Sequence, residues 1–352
     1  MSRAQESNRS FFPFGNPFRM MSPKGSQLSP SLLTLLNAFE ETLAERMRGL
    51  NLKITDEVLG FAWMKAAMES LCEVHNDIKT LITDLELPVT DWDEKWIDVY
   101  FDISVKLLDV SIAFSSELTR LSQGKLFVQC AMHNLDSGNS EQFVRARSSL
   151  DSWRQHICSK NQRIENCHST LKSLVGSLDL PKVKNSAKGK VLMRAMYGVK
   201  VLTVFVCSVF TTAFSGASKN LLDLPVSDEL PWAQAYADLQ INVNGVVRKT
   251  LSDGKPVAVK ELSEVDSLVK KLYPMIQDGI NPSDAATFKS SFSDMRSAVE
   301  QLSQGMDLLG KEVDNFFKII LAGRDALLCN LRSSGPFANQ IVGTSAGQQA
   351  VR

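Results

Sequence analysis

Chemistry in a protein needs particular side chains at particular spacings, and three short patterns in this chain come near enough to be weighed. His156, Cys158, Cys167 and His168 make a local group of the kind that binds zinc. Residues two apart on a helix point to different faces, however, and the spacing fits no zinc-finger pattern, so an ordinary pair of helical segments is expected. Gly343-Thr344-Ser345-Ala346-Gly347 reads as a nucleophile elbow, but no strand precedes it and no histidine follows it to complete a triad in the usual order. The lysines around Gly189 lack the earlier glycine of a phosphate-binding loop, and no GxGxxG occurs. With four histidines, none beside a suitable carboxylate or nucleophile, the expectation is of no enzyme: no catalytic, metal-binding or cofactor-binding residues and no small-molecule substrate.

What remains is charge. Lys182, Lys184, Lys188, Lys190, Arg194 and Lys200 fall together with no acidic residue among them, in a 352-residue chain whose 39 basic and 39 acidic residues otherwise cancel. Overall neutrality argues against a nucleic-acid partner, since phosphate recognition needs a basic excess. The local cluster fits an anionic membrane surface, at about 1 kcal/mol per lysine, or a protein partner; a solvated linker is the plain alternative. Between Asp84 and Asp109 the sign reverses, with Asp84, Glu86, Asp91, Asp93, Glu94, Asp98, Asp102 and Asp109 against Lys95 and Lys106. That face either docks a basic partner or is simply solvated. Arg145-Ala146-Arg147 precedes Ser148 and Ser149 as basophilic kinases prefer, which makes these two serines the candidate phospho-regulatory residues, unless they merely occupy an exposed helical face.

The elements that must position these residues are helical almost throughout. Ser29 can cap and Pro30 suits a first helical position, after which Leu32, Leu36, Phe39, Leu43 and Met47 recur at spacings of three or four. Further helices are expected over about 55–85, from an Asp91 cap through Trp92 to Leu121, over about 141–178 as one element, over about 232–250 and over about 257–277. The last starts at an Asn281 cap with Pro282 and carries a stripe from Leu302 to Leu331. Residues 201–218 hold no charge and sit at the low edge of the roughly 20 residues that cross a bilayer. Thr203, Ser208, Thr211, Thr212 and Ser215 dilute them. The expected architecture is therefore all-α, an elongated bundle of long antiparallel helices, in which one apolar helix is either the central core or a single membrane span. Its parts are a flexible Phe/Pro-rich segment at 1–28, an N-terminal bundle at 29–180, the basic segment and apolar helix at 181–219, C-terminal helices completing the bundle at 220–332, and a disordered tail at 333–352.

Six scattered cysteines without a CxxC pair suit a reduced intracellular compartment. The first residues lack the continuous apolar stretch of a secretory signal, though residues 2–26 are Ser-rich and basic enough to leave a plastid transit peptide open. The protein is thus expected in the cytosol or on the cytosolic face of a membrane, with a single-pass or chloroplast location as the alternative.

Several longer runs resemble the plant BYPASS family: Phe11-Phe12-Pro13-Phe14-Gly15-Asn16-Pro17-Phe18, Trp92 to Tyr100, Gln142 to Arg154, Lys184 to Lys200, and Leu272-Tyr273-Pro274-Met275-Ile276-Gln277-Asp278-Gly279. The likeness extends from about residue 11 to 332. It implies a plant-specific protein without known catalytic activity, needed for normal root and shoot development, whose loss is associated with excess of a root-derived, carotenoid-dependent mobile signal. Related proteins resemble partners of exocyst subunits, and some members carry a chloroplast label or a membrane span. The family offers no catalytic motif to transfer.

Overall fold

Serine before proline starts the first helix: the Ser29 hydroxyl accepts from the Leu32 amide at 3.4 Å, and Pro30, which has no amide hydrogen to leave unpaired, opens α1 (Pro30–Leu52). The computed structural model describes residues 28–53, 58–85, 94–136, 140–176, 186–252, 258–277 and 285–333. Among these, the remaining helices are α2 (Phe61–Asp84), α3 (Glu94–Asp136), α4 (Ser140–Cys158), α5 (Gln162–Gly176), α6 (Ala187–Ser215), α7 (Ala233–Ser252), α8 (Lys260–Gln277) and α9 (Ala285–Ser333), with one 3-10 turn at Ser218–Asn220. No strand occurs among the described residues. The Asp91, Asn281 and Pro282 start signals and the 333–352 tail beyond Ser333 lie outside them.

The bundle is elongated because α3 has 43 residues and α9 has 49, about 65 and 74 Å of helix. These two run antiparallel: Arg324 donates to the Phe101 carbonyl, Lys125 to Ser303 and Arg296 to Asp136. On its other side α9 meets α2, and here the helices run in the same direction, since Gly305 lies under Phe61, the Glu312 carbonyl accepts from Cys72, and Phe316 stands edge-on to His75. The stripe read from the sequence is the buried one, with Leu302, Met306, Leu309, Val313, Phe316 and Ile320 all inside.

The helix expected over 141–178 is two. It breaks between Cys158 and Gln162, where the Asn161 side chain accepts from the Arg163 amide and restarts the chain as α5. A buried carboxylate holds the corner: Glu117 of α3, 2% exposed, accepts from Arg120 Nη2 at 2.6 Å and from Asn161 Nδ2 at 2.9 Å. Arg120 Nη1 reaches on to the His156 carbonyl at 2.8 Å.

The described part of the basic segment and the apolar segment run on as one helix, α6. Ser186 caps α6 by accepting from the Gly189 amide at 2.9 Å, and Gly216 ends it in the left-handed conformation at φ 66°. Contacts with α1, α2, α5 and α7 surround it. From Tyr197 to Ala213 every residue is buried, which is why the sequence shows no one-sided stripe there. The hydroxyls that dilute this stretch are satisfied within the helix: Thr203, Ser208 and Thr211 donate to the carbonyls of Val199, Phe205 and Cys207 at 2.7–2.9 Å. Phe205 meets Tyr236, Phe210 meets Phe114, and Tyr197 meets Trp232, so α6 joins α3 to α7 through aromatic pairs. Gly198 lets α1 and Trp232 approach closely, since a Cβ there would stand 2.5 Å from Leu43 Cδ2 and 3.3 Å from the indole. Buried residues from Leu36 to Ile320 form one hydrophobic cluster.

Candidate functional site

The basic cluster is divided by the way α6 sits. Lys182 and Lys184 lie outside the described residues. Lys188 and Lys190 occupy the first turn, half-buried, in a helix start that carries no acidic residue, so their charge adds to the positive end of the helix dipole instead of offsetting it. Arg194 is turned inward. Its Nε and Nη2 fork onto Glu40 Oε1 and Oε2 of α1 at 2.7 and 2.9 Å, and Glu40 is 1% exposed. Lys200, two turns on, is 6% exposed on a helix face enclosed by the bundle. The six residues therefore do not share one exposed surface: Arg194 neutralises a buried carboxylate, and Lys200 lines an internal cavity. The sequence shows six like charges, but which way each points depends on α6 being encircled, a tertiary fact.

The two arginines before the candidate phosphorylation site are also engaged. Arg145 pairs with Glu141 one turn back at 2.6 Å, an exposed i,i+4 pair. Arg147 Nε donates to Tyr273 Oη at 3.2 Å, and the guanidinium groups of Arg147 and Arg154 lie 5.7 and 5.3 Å from the Tyr273 ring centroid. Arg147 and Arg154, seven residues apart on one face of α4, thus hold α8 by cation–π contact. Ser148 is exposed, while Ser149 is half-buried and donates to the Arg145 carbonyl at 3.0 Å. Both sit inside α4, which Ala146, Leu150 and Trp153 anchor to the core.

Among the described residues, the His/Cys group does not assemble into a metal site. His156 Nε2 donates to the Arg120 carbonyl at 2.8 Å, Cys158 is exposed, and Cys167 is buried on the next helix. No group of three His, Cys, Asp or Glu able to hold a metal ion occurs among the described residues. The Gly343–Gly347 pattern lies outside them. On the acidic face of α3, Asp98, Asp102 and Asp109 are exposed, and Asp102 pairs with Lys106 at 2.6 Å. Burial pushes the thiols of Cys72 and Cys167 up to about 12 and Cys207 higher still, so all three are protonated and unreactive at neutral pH.

This geometry defines an all-α helical protein in which Arg194, Arg147 and Arg154 are engaged in contacts between helices. No protein-family model matches the chain, and no solved structure matches it. Among curated proteins, it is 58% identical over 337 residues to Protein BPS1, chloroplastic, of Arabidopsis thaliana, covering 95% of this chain and 94% of that one. It is 47% identical over 297 residues to UPF0496 protein 4 of rice, covering 83% of this chain and 65% of that one. Protein ROH1D of Arabidopsis is more distant, 24% identical over 156 residues, covering 40% and 39%. On the strength of the first of these, this chain belongs to the BYPASS family.

Proposed function

We propose that this protein is a non-enzymatic helical regulator of plant root and shoot development, limiting a root-derived, carotenoid-dependent mobile signal through a membrane surface or trafficking partners of exocyst type. The observation that carries the reading is the near full-length identity to the Arabidopsis relative. The helical architecture, in which the titratable groups that depart furthest from ordinary behaviour are buried and inert, supports it. The membrane or partner contact is carried by Lys182, Lys184, Lys188 and Lys190, with Arg194 and Lys200 reserved for the interior, and phosphate on Ser148 or Ser149 regulates it by adding charge beside Arg145. In this reading α6 is a core helix and the protein is cytosolic or bound reversibly to a cytosolic membrane face.

A second reading is favoured by two observations. The Arabidopsis relative is named chloroplastic, and α6 is the one described helix long and apolar enough to cross a membrane, although 89% of its apolar window is buried inside the bundle. The protein would then be an integral or plastid membrane protein acting directly in production or transport of the signal. One fractionation separates the readings. Release of the tagged full-length protein from the membrane pellet by high salt is expected; retention through alkaline carbonate selects the second reading. Reversal of the four lysines is expected to abolish binding to anionic liposomes and to exocyst subunits, and unchanged binding to both sinks the contact assignment.

A further inference from the structure

The guanidinium fork matches a carboxylate, and in this bundle Arg46, Arg120, Arg145, Arg194, Arg248 and Arg296 each bridge to one. Arg147 and Arg154 depart from that pattern. Both are exposed on one face of α4, and among the described residues neither forms an ion pair. Asp151, between them on the same face, acts on Arg147 electrostatically without bridging to it. Both arginines turn to Tyr273 of α8 instead. Arg147 Nε donates to Tyr273 Oη at 3.2 Å, and the two guanidinium groups lie 5.7 and 5.3 Å from the ring centroid. A cation–π contact requires a cation only over the ring face. Here one guanidinium also reaches the phenol oxygen, so a group attached to that oxygen would meet it.

Arginines beside a phenol oxygen are suited to a phosphate carried by that oxygen. Phosphate brings a charge of about −1.5 to −2 and three acceptor oxygens, and guanidinium binds it in bidentate fashion. Two positive charges against the one of Asp151 leave this face of α4 positive, and Lys270, one turn back on α8, is already paired with Asp266. Access also distinguishes Tyr273 among the four tyrosines. Tyr197 and Tyr236 are buried, and the Tyr100 hydroxyl lies over Gly323 of α9, where burial pushes its pKa up. Tyr273 is half-buried, about one turn from the end of α8 at Gln277, and Pro274 follows it inside the helix. Proline removes a backbone hydrogen bond from that turn, so this end of α8 opens to an enzyme more readily than an unbroken helix would.

We propose that Tyr273 is a phosphorylation site whose phosphate is held in cis by Arg147 and Arg154, latching α8 to α4. The co-reactants are ATP and a tyrosine-directed kinase. Tyr273 Oη attacks the γ-phosphorus, the bond from that phosphorus to the β-phosphate oxygen breaks, ADP leaves, and the phenol proton passes to the base of the kinase. This goes beyond the regulator reading: it names a modification of the bundle itself, and its test uses neither a membrane nor a trafficking partner.

The first arm of the test treats the full-length protein with a purified tyrosine kinase of broad specificity and magnesium ATP. One phosphoryl group per chain is expected, mapped to Tyr273 by mass spectrometry and lost in Tyr273→Phe. No labelling of the native chain, or labelling at Tyr100 in preference, overturns the proposal. The second arm reads the clamp, on full-length protein with phosphotyrosine installed at position 273 during synthesis. Phosphorus NMR titration is expected to show the second phosphate pKa lowered by about one unit from its ordinary value of about 6, because two guanidinium groups favour the dianion despite Asp151 between them. Arg147→Met/Arg154→Met, at two exposed positions, is expected to return it to about 6. A phosphate that titrates alike in both proteins shows that the arginines serve cation–π packing alone, and overturns the proposal.

Discussion

Arg194 is the residue on which sequence and structure part most sharply, and it supplies the strongest test. Its guanidinium forks onto Glu40, a carboxylate that is 1% exposed. Arg194→Met leaves that carboxylate in the interior without its partner. Breaking a buried pair from one side costs about 3–5 kcal/mol, whereas replacing both members by apolar groups of similar volume is often neutral or stabilising. With an unfolding entropy of about 2.1 cal/mol/K per residue, the single substitution should lower Tm by about 4–7 °C if the chain unfolds in one step. Glu40→Met/Arg194→Met should return to within about 1 kcal/mol of the parent, a coupling that exceeds the roughly 0.5 kcal/mol scatter of independent sites. Urea unfolding followed by far-ultraviolet circular dichroism measures both. A loss below about 1 kcal/mol for Arg194→Met, or a double variant that loses the sum of the singles, refutes the claim that Arg194 serves the interior. Because Arg194 forks onto a buried carboxylate, its charge reversal would disturb the interior, which is why it is left out of the liposome test.

Three further outcomes are expected. Gly198→Ala should destabilise by about 1–3 kcal/mol despite its better helix propensity, because its Cβ meets Leu43 and Trp232, whereas Gly245→Ala, with nothing within 4 Å at an exposed position of α7, should stabilise by about 0.5–1 kcal/mol; thermal melts that move both in one direction contradict the packing. His75 has its pKa lowered from 6.5 to about 4 by burial, so the unfolded chain takes up a proton that the fold refuses. Stability held above pH 6.5 is therefore lost as pH falls from 6.5 to about 4, by about 3 kcal/mol, and the difference between parent and His75→Gln should narrow over that window and no further. Ellman's reagent should modify the exposed Cys130, Cys158 and Cys329 in the native protein and reach Cys72, Cys167 and Cys207 only with denaturant; rapid reaction of all six is incompatible with the core described.

How much the sequence reveals depends on the range of the interaction. Ser29 and Pro30 announce α1, and the spacing from Leu302 to Ile320 announces the inner face of α9, because capping and 3.6-residue periodicity are local. The break at Ser159–Asn161 leaves a weak local signal, an asparagine able to cap, but what fixes it is Glu117 from 44 residues away. The basic segment misleads for the same reason. Six lysines and arginines in nineteen residues resemble a patch, yet Glu40, which claims Arg194, is 154 positions distant. The cavity around Lys200 draws on five helices and has no sequence signature at all.

The two fates open to α6 differ less in the helix itself than in what it would leave behind. Its hydroxyls bond back to its own carbonyls, an arrangement as suitable in lipid as in a core. Lys200 lies just outside the uncharged stretch and in a bilayer would reach toward the interface, so it does not exclude a span either. The neighbours decide the balance. Leu43 packs on Gly198, Phe114 on Phe210, Trp232 on Tyr197 and Tyr236 on Phe205. Exposing these four side chains costs roughly 1.5–3 kcal/mol each, about 6–12 kcal/mol together, before Glu40 is stranded. That equals the whole net stability of an ordinary domain, about 5–15 kcal/mol. Withdrawal of α6 into a membrane thus cannot leave the rest of the bundle standing, and this energetic linkage is why the core placement is the one proposed.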